Sequence, residues 1–486
     1  MKIAELYGLY KQHPVVSTDS RKCPQGALFF ALKGDSFDGN AFAAQALEQG
    51  CAYAIVDEAE YAAGGDERYI LVEDVLTTLQ QLAHYHRKQF KIPVIQVTGT
   101  NGKTTTKELT AAVLSQKHNV LYTQGNLNNH IGVPKTLLEL SPEHTIAVIE
   151  TGANHPGEIK ALAEIVDPDF GLITNVGMAH LEGFGSFEGV VRTKGELYDY
   201  LRAKHGTVFI DHDSEDLKRI AGGLHQICYG SPCDEVLSVE GEVLECAPFL
   251  KFRWRPAGGE WQEVQTGLIG AYNMQNMLAA ATIGRTFGVE VDSINRALAA
   301  YEPKNNRSQL METDDNKLLV DAYNANPTSM RAAIENFRDM KVERRMVILG
   351  DMGELGESSW KAHQAIADLL VESGFEHVWL VGPKFKAVTE TLAREVGPLG
   401  LATWHDPKGG YFVSVNTLPG LAKRTLALAK DAGVVMTSAG ATYPYGHDPL
   451  DSNIRVAPSL PPVEELQQAM EVFCCCLKLA ALEQLK

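Results

Sequence analysis

The stretch Thr98-Gly99-Thr100-Asn101-Gly102-Lys103-Thr104-Thr105-Thr106 constrains this chain more than any other. An apolar run at 92–97 enters it, which predicts a strand, and a helically spaced run at 108–114 leaves it. Glycines let the backbone turn tightly, so that successive N–H groups converge on an anion. The helix that follows aims its positive dipole end at the same spot. Lys103 then reaches the outer phosphates of a nucleotide, and the Thr104 hydroxyl holds Mg²⁺. The first glycine stands three residues before Gly102, not the five of the general nucleotide-loop pattern, so this is a short form. An ordinary Gly-Thr-Asn turn leaves Gly-Lys-Thr at a strand-to-helix junction unexplained.

If 92–97 belongs to a parallel sheet, ligands gather at the carboxyl ends of its strands. Two later apolar runs, 146–149 and 170–174, deliver Glu150 and then Asn175 and His180 to that edge. Singly, such a glutamate is a solvated turn residue and such a histidine a satisfied loop group. Converging on a phosphate loop, they read as ligands of the metal that accompanies ATP. The stretch 125–134 is too rich in Gly and Asn for core. Lys194 falls in a predicted helix around 192–198, where a lysine is by default at the surface. Residues 270–281 start another helix with Asn273 and Asn276 on one face, suited to an adenine edge or to capping.

A chain of 486 residues makes about three domains at the usual 100–200 residues each. Residues 1–88 predict a small α/β domain, with strands at 28–32 and 53–56 and a helix at 41–49. Its polar clusters at 17–21 and 34–39 read as solvated loops, although Arg21 is also suited to gripping a phosphate. Residues 89–308 form the central βα alternation. A further alternation over 309–383 has strands at 317–320, 346–349 and 378–381 and helices at 329–338 and 360–371, and delivers Asp321. A net charge of −17 without a basic block excludes nucleic acid and anionic membranes as partners. No apolar run of 18 residues exists, and Met1-Lys2-Ile3-Ala4-Glu5 lacks a secretory core, so the expected compartment is the cytoplasm. Eight cysteines, mostly scattered, suit its reducing conditions, and Cys474-Cys475-Cys476 predicts a helix face.

These motifs, in this order, resemble the ATP-dependent Mur ligases, which build the cell-wall peptide on a UDP-linked muramic acid. The matching text is 98–106, 125–134, Glu150-Thr151-Gly152-Ala153-Asn154 with 156–159, 175–185, 194–197, 321–330 and 349–356, within residues 1–383. The branch most similar adds D-alanyl-D-alanine to UDP-N-acetylmuramoyl-tripeptide, because the Asp-Asn-Pro-Arg element of the diaminopimelate-adding relatives is missing. The resemblance implies a three-domain α/β architecture: a UDP-substrate domain, a central P-loop parallel-sheet ATPase domain and a Rossmann-like third domain. It implies ATP and Mg²⁺ as cofactors and a monomer. Gly99, Thr100, Asn101, Gly102, Lys103, Thr104 and Thr105 resemble the ATP phosphate loop. Thr104, Glu150 and His180 resemble magnesium ligands, and Lys194 the family's carbamylated lysine beside a second Mg²⁺. Together with Lys103, these last three carry the catalytic roles. Asn273 and Asn276 resemble adenine contacts, Arg307 a phosphate contact and Asp321 a nucleotide contact. Ser20 and Arg21 fall where the UDP end is held, and Asn128, Asn129 and His130 near the muramoyl-peptide.

From about residue 384 the chain departs from that pattern, and the family's Lys-Gly-Ser-Arg strand-and-turn is missing, so the third domain is expected to be incomplete. Residues 384–486, with Trp404-His405-Asp406-Pro407-Lys408, 439–446 and 451–458, resemble instead the C-terminal small domain of class I PLP-dependent aminotransferases. There Arg455 would match the arginine for the substrate carboxylate, and a helix at 463–485 closes the chain. The seam falls at Gly382-Pro383-Lys384-Phe385. Two other functions stay open: a Mur-type ligase of another step, and an ATP-binding fusion with impaired ligation.

Overall fold

The computed structural model describes residues 1–381 except 35–36, 63–64, 247, 304–306, 341 and 343, and beyond 381 residues 402–405, 413–434, 439, 448–456 and several between 472 and 483. The chain divides into two compact units, Met1–Glu343 with Met352–Ala362, and Arg344–Asp351 with His363–Lys486.

The first unit begins with four short parallel strands in the order β1 (Val16–Ser17), β2 (Leu28–Phe30), β3 (Tyr53–Val56) and β4 (Tyr69–Leu71). The unbroken apolar text of β2 fits a strand buried on both faces. Asp74 starts helix α1 (Val75–Arg87) by accepting from Thr77 N at 2.6 Å. Leu79, Leu82 and Ala83 of α1 then join Leu28 and Phe30 to Val94, Ala147 and Ile149, so one core runs from the small sheet into the next. The predicted helix at 41–49 is shorter, a 3₁₀ turn Gly39–Phe42 followed by Ala43–Glu48. The Asp38 side chain caps Asn40 N and favours the tighter turn first.

Nine strands form the main sheet: β5 (Val94–Thr98), β6 (Val120–Tyr122), β7 (Ile146–Glu150), β8 (Phe170–Ile173), β9 (Thr207–Asp211), β10 (His225–Gly230), β11 (Val239–Cys246), β12 (Phe249–Pro256) and β13 (Gln262–Ile269). Their spatial order is β13-β12-β11-β10-β9-β8-β5-β7-β6. All pairs from β6 to β11 are parallel. The order reverses about β5, which places a crevice at its carboxyl end. The βα alternation stops at β11: β11, β12 and β13 are antiparallel neighbours. Between β12 and β13, Pro256, Gly258 at φ +69 and Gly259 turn the chain back, where a helix cannot start.

Helix α2 (Lys103–Leu114) leaves the phosphate loop, and helix α3 (Phe187–Lys204) carries Lys194. Helix α4 (Asn273–Thr286) is buried along most of its length against α2. Gly284 permits that approach, since a Cβ there would stand 2.4 Å from Val113 Cγ1. Strands β14 (Gln309–Glu312) and β15 (Lys317–Val320) form an antiparallel pair, and helix α5 (Pro327–Asp339) follows.

In the second unit, β16 (Met346–Gly350) pairs in parallel with β17 (His377–Val381). Among the described residues β15 pairs with β14 only. Beyond 381, β18 (Ala402–His405), β19 (Val413–Thr417) and β20 (Asn453–Val456) form an antiparallel sheet, and Ala422, Ile454 and Phe473 share a small apolar cluster. The seam at 382–385, residues 406–412, 440–446, 457–458 and most of 463–485, with the side chains of Arg455, Cys474 and Cys475, lie outside the described residues. So do Asp35 and Ser36 of the second polar cluster.

Candidate active site

The loop after β5 turns where Gly99 (φ +143) and Gly102 (φ +76) take conformations that L side chains rarely adopt. A Cβ on Gly99 would stand 2.1 Å from Thr174 Oγ1, and one on Gly102 2.7 Å from Asn276 Oδ1. Neighbouring strand ends hold the loop: Thr174 Oγ1 and Asn175 Nδ2 donate to Asn101 O at 2.6 and 3.0 Å, and Asn101 N donates to Asn175 Oδ1 at 2.9 Å. Lys103 folds over it and donates to Gly99 O at 2.9 Å and Thr100 O at 2.8 Å. Burial depresses the Lys103 ammonium below its ordinary value; Glu150 opposes that shift and Arg307 adds to it. A lysine whose donors are occupied by carbonyls and whose charge is costly is ready to transfer to phosphate oxygens.

Glu150 ends β7 and is fully buried. Its Oε1 accepts from Asn128 Nδ2 at 2.8 Å and Thr104 Oγ1 at 3.1 Å. Its Oε2 is buried with no donor among the described residues, and Lys107 Nζ stands 3.8 Å away. An orphaned, buried carboxylate oxygen beside a threonine hydroxyl fits a divalent cation. Among the described residues no three His, Cys, Asp or Glu side chains cluster as a ready-made metal site, so substrate oxygens would complete the shell.

His180 caps a one-turn helix at φ +52 and lines the same cleft, but its Nδ1 is paired with Glu354. Burial lowers its pKa, Glu354 opposes the shift, and Lys194 and Lys103 add to it. The surface position expected by default for Lys194 is overturned: the residue is 2% exposed. Its Nζ donates to Ala153 O at 3.4 Å and lies 5.3 Å from the Phe184 ring centre. Burial, with Lys103, pushes its pKa down to about 7 against the opposing pull of Glu158 and Glu196.

Capping is likewise not the role of Asn273, because Tyr272 is the N-cap. Asn273 Nδ2 donates to Ile269 O at 2.8 Å, Asn276 Nδ2 to Asn273 Oδ1 at 2.8 Å, and Thr106 Oγ1 to Asn276 Oδ1 at 3.0 Å.

Together these groups wall a cleft of about 730 Å³ that also includes Thr100, Asn101, Gly102, Thr105, Asn129, His130, Arg307 and Asp321. The Arg307 guanidinium stacks on the Tyr323 ring at 4.0 Å. Lys194, whose Nζ faces Ala153 O, and Gly99 do not line it. Ser20 and Arg21 are not part of this cleft. Arg21 is exposed and grips Asp19 of its own loop at 2.9 Å.

Sequence reasoning missed three participants. Lys107 is fully buried, with Nζ donating to Thr123 O at 2.7 Å. Glu354 comes from far along the chain to meet His180. Asn326 caps α5 and exchanges side-chain hydrogen bonds with Asn101, its Nδ2 donating to Asn101 Oδ1 at 2.7 Å. Only Asn326-Pro327 carried a local signal, a cap followed by proline.

A family model described as "Mur ligase middle domain" matches residues 97–284, and one described as "Mur ligase family, catalytic domain" matches 14–87. The UDP-N-acetylmuramoyl-tripeptide--D-alanyl-D-alanine ligase of Escherichia coli (strain K12) is 36% identical over 389 residues, covering 79% of this chain and 85% of its own. The chain belongs to the Mur ligase family. Two solved structures agree with this Mur ligase fold. One is MurF from Acinetobacter baumannii (35% identity, TM-score 0.70, 77% of this chain and 82% of that one). The other is the MurF ligase from Thermotoga maritima in complex with ADP (27% identity, TM-score 0.69, 79% and 91%). The end of this Mur ligase is different: residues 367–486 match a family model described as "Aspartate amino-transferase", which begins inside helix α6 (Ser359–Ser373). No helix among the described residues is long and apolar enough to cross a membrane.

Proposed function

We propose that this chain joins D-alanyl-D-alanine to UDP-N-acetylmuramoyl-tripeptide at the expense of ATP, releasing ADP and phosphate, as a cytoplasmic monomer in peptidoglycan precursor synthesis. The observation that carries the reading is one cleft lined by a phosphate loop, by a buried carboxylate with a free oxygen, and by Asn128, Asn129 and His130. A peptide carboxylate does not react with an amine until one of its oxygens becomes a leaving group. The carboxylate therefore attacks the γ-phosphorus of ATP, ADP departs, and an acyl phosphate remains. The amine of D-alanyl-D-alanine attacks the acyl carbon, the C–O bond breaks, and phosphate leaves with the amide formed. Lys103 and Arg307 offset the charge of the two anions brought together. Mg²⁺ held by Thr104, Glu150 and His180 would supply further charge screening there. The Lys194 amine, substantially neutral at pH about 7, can add to CO₂ with loss of one proton, and the resulting carbamate would serve as a carboxylate toward a second Mg²⁺.

Phosphate release is measured with UDP-N-acetylmuramoyl-tripeptide and ATP while the amine is varied. D-Alanyl-D-alanine should stimulate it far more than L-lysine or diaminopimelate, and equal rates would overturn the assignment. The match at 367–486 favours one other reading, an ATP-binding chain with impaired ligation. ATP binding without amide formation would support it.

A further inference from the structure

The stretch 349–356 plays no part in the chemistry above, yet it delivers a side chain to a site residue. Met352 and Leu355 are buried, and both belong to the same compact unit as the cleft. Between them Glu354 takes φ +57, a left-handed conformation uncommon for any residue but glycine. Its carbonyl accepts from Glu182 N at 3.1 Å, on the one-turn helix that His180 caps. Its carboxylate is paired with His180 Nδ1, and His180 itself stands at φ +52. Two residues in costly backbone conformations therefore hold each other, and such strain gathers at functional sites.

The pairing decides which nitrogen of the ring is free. An ionised carboxylate only accepts, so the atom facing it, Nδ1, carries the proton. In the neutral imidazole the lone pair is then left on Nε2. His180 makes no other side-chain hydrogen bond among the described residues, and its ring lines the cleft with Glu150 and Thr104. Phe184 meets the imidazole edge-on with 6.1 Å between ring centres, a second restraint on its orientation. Glu354 does not line the cleft, so what it contributes there passes through the imidazole.

We propose that Glu354 is a positioning residue for ligation: it holds His180 in the Nδ1–H tautomer and so presents the Nε2 lone pair to a divalent cation. The proposal rests on the metal-assisted ATP reading of the cleft and adds the group that makes His180 fit to ligate. A histidine whose other nitrogen donates to a carboxylate is fixed in tautomer and orientation and is a more basic ligand. Without that partner the proton is shared between the two nitrogens, and the ring is free to turn.

The test uses the full chain without nucleotide. Long-range ¹⁵N NMR of the histidine rings reports the tautomer, with the His180 signals assigned by their loss in His180→Gln. In mildly alkaline, metal-free buffer His180 should carry its proton on Nδ1 and leave Nε2 bare. The opposite tautomer, or protons on both nitrogens, overturns the proposal. Mn²⁺ alone is the metal probe, with the free ion counted by electron paramagnetic resonance. Glu354→Ala should mix the two tautomers and bind Mn²⁺ about 10–100-fold more weakly than the wild type. Glu354→Gln keeps an acceptor oxygen and should fall between them. Both variants retain a side chain at φ +57, so equal losses in the two would mark a merely structural role and overturn the proposal. Wild-type affinity in Glu354→Ala would overturn it as well. If the wild type shows the expected tautomer but takes up no Mn²⁺, the metal reading fails and the proposal with it. The wild-type tautomer needs no substitution at Glu354, so a variant that does not fold leaves the test intact.

Discussion

Replacing Lys107 by methionine removes the charge but keeps most of the side-chain volume. The ammonium is fully buried, 3.6 Å from Glu108 Oε1 and 3.8 Å from Glu150 Oε2, and lies 5.7 Å from the Tyr122 ring centre. At an effective dielectric of about 20, each carboxylate contributes a gross attraction of about 4 kcal/mol. Desolvating an ion costs several kcal/mol, so the intact cluster stabilises little on balance. Removing one member is a different matter. Lys107→Met takes from the buried Glu150 its nearest cation and from Thr123 O its donor, a loss of about 3–5 kcal/mol. Glu150→Gln in the same chain removes the stranded charge, so the double variant should recover about 1–3 kcal/mol relative to additivity. Hydrogen exchange of amides in α2 and β5 gives the local free energy without assuming that the whole chain unfolds in one step. A cost below about 1 kcal/mol, or additivity within about 0.5 kcal/mol, would refute the reasoning.

Lys194 gives a pH prediction. Its folded pKa of about 7 lies below the unfolded value of about 10.4, so between them the unfolded chain binds more protons and stability rises with pH. The penalty, about 4–5 kcal/mol, is complete below pH about 7 and is relieved towards pH about 10. The stability difference between wild type and Lys194→Met in CO₂-free buffer should change accordingly, and a flat difference contradicts the burial argument. Lys194→Ala should lose most ligation and regain part of it with a short carboxylic acid that fills the gap; full activity without rescue excludes a carbamate role. Gly102→Ala forces an alanine to φ +76 and its Cβ to 2.7 Å from Asn276 Oδ1, at a cost of about 1–2 kcal/mol before any clash. ATP affinity should drop at least about tenfold, and a change under twofold in calorimetry would show that the loop relaxes freely. All the cleft residues precede 333, so exchanging everything after 381 for an ordinary family terminus should leave ATP affinity unchanged while raising the ligation rate. Equal ligation by both chains would show that the aminotransferase-like end is functionally adequate.

What the sequence made legible was local or periodic. The apolar runs before Glu150 and Asn175 announced β7 and β8, and the spacing of Gly99, Gly102 and Lys103 announced the loop between β5 and α2. The helix expected at 329–338 is α5, which begins two residues earlier at Pro327. The default surface reading of Lys194 rests on the rarity of buried lysines and fails, and only α3 packing behind the cleft reveals that this one is buried; its site role came from the resemblance and not from its chemistry. Lys107 was invisible for the same reason. The contacts of His180 with Glu354 and of Asn101 with Asn326 join residues far apart in the chain, which no window of text can register. The hairpins of β11–β13 alternate buried and part-exposed positions on strands of eight residues, yet the surrounding βα rhythm masked them.

The position of β5 in its sheet bears on how the protein is made. Its five residues are wholly buried, yet neither neighbour is local: Val94 pairs with Ala147 and Ile95 with Phe170. At about 5–20 residues per second, the second neighbour leaves the ribosome roughly 4–15 s after the strand it must cover. For that interval an apolar ribbon with open edges is held out to the solvent, a target for chaperones and for other nascent chains. The delay extends to the nucleotide loop, because Thr174 and Asn175 are what pin Asn101. ATP therefore cannot template the early stages of folding. A translational pause shortly before residue 170 would be the most hazardous place to slow synthesis of this enzyme, and one shortly after 175 the most benign.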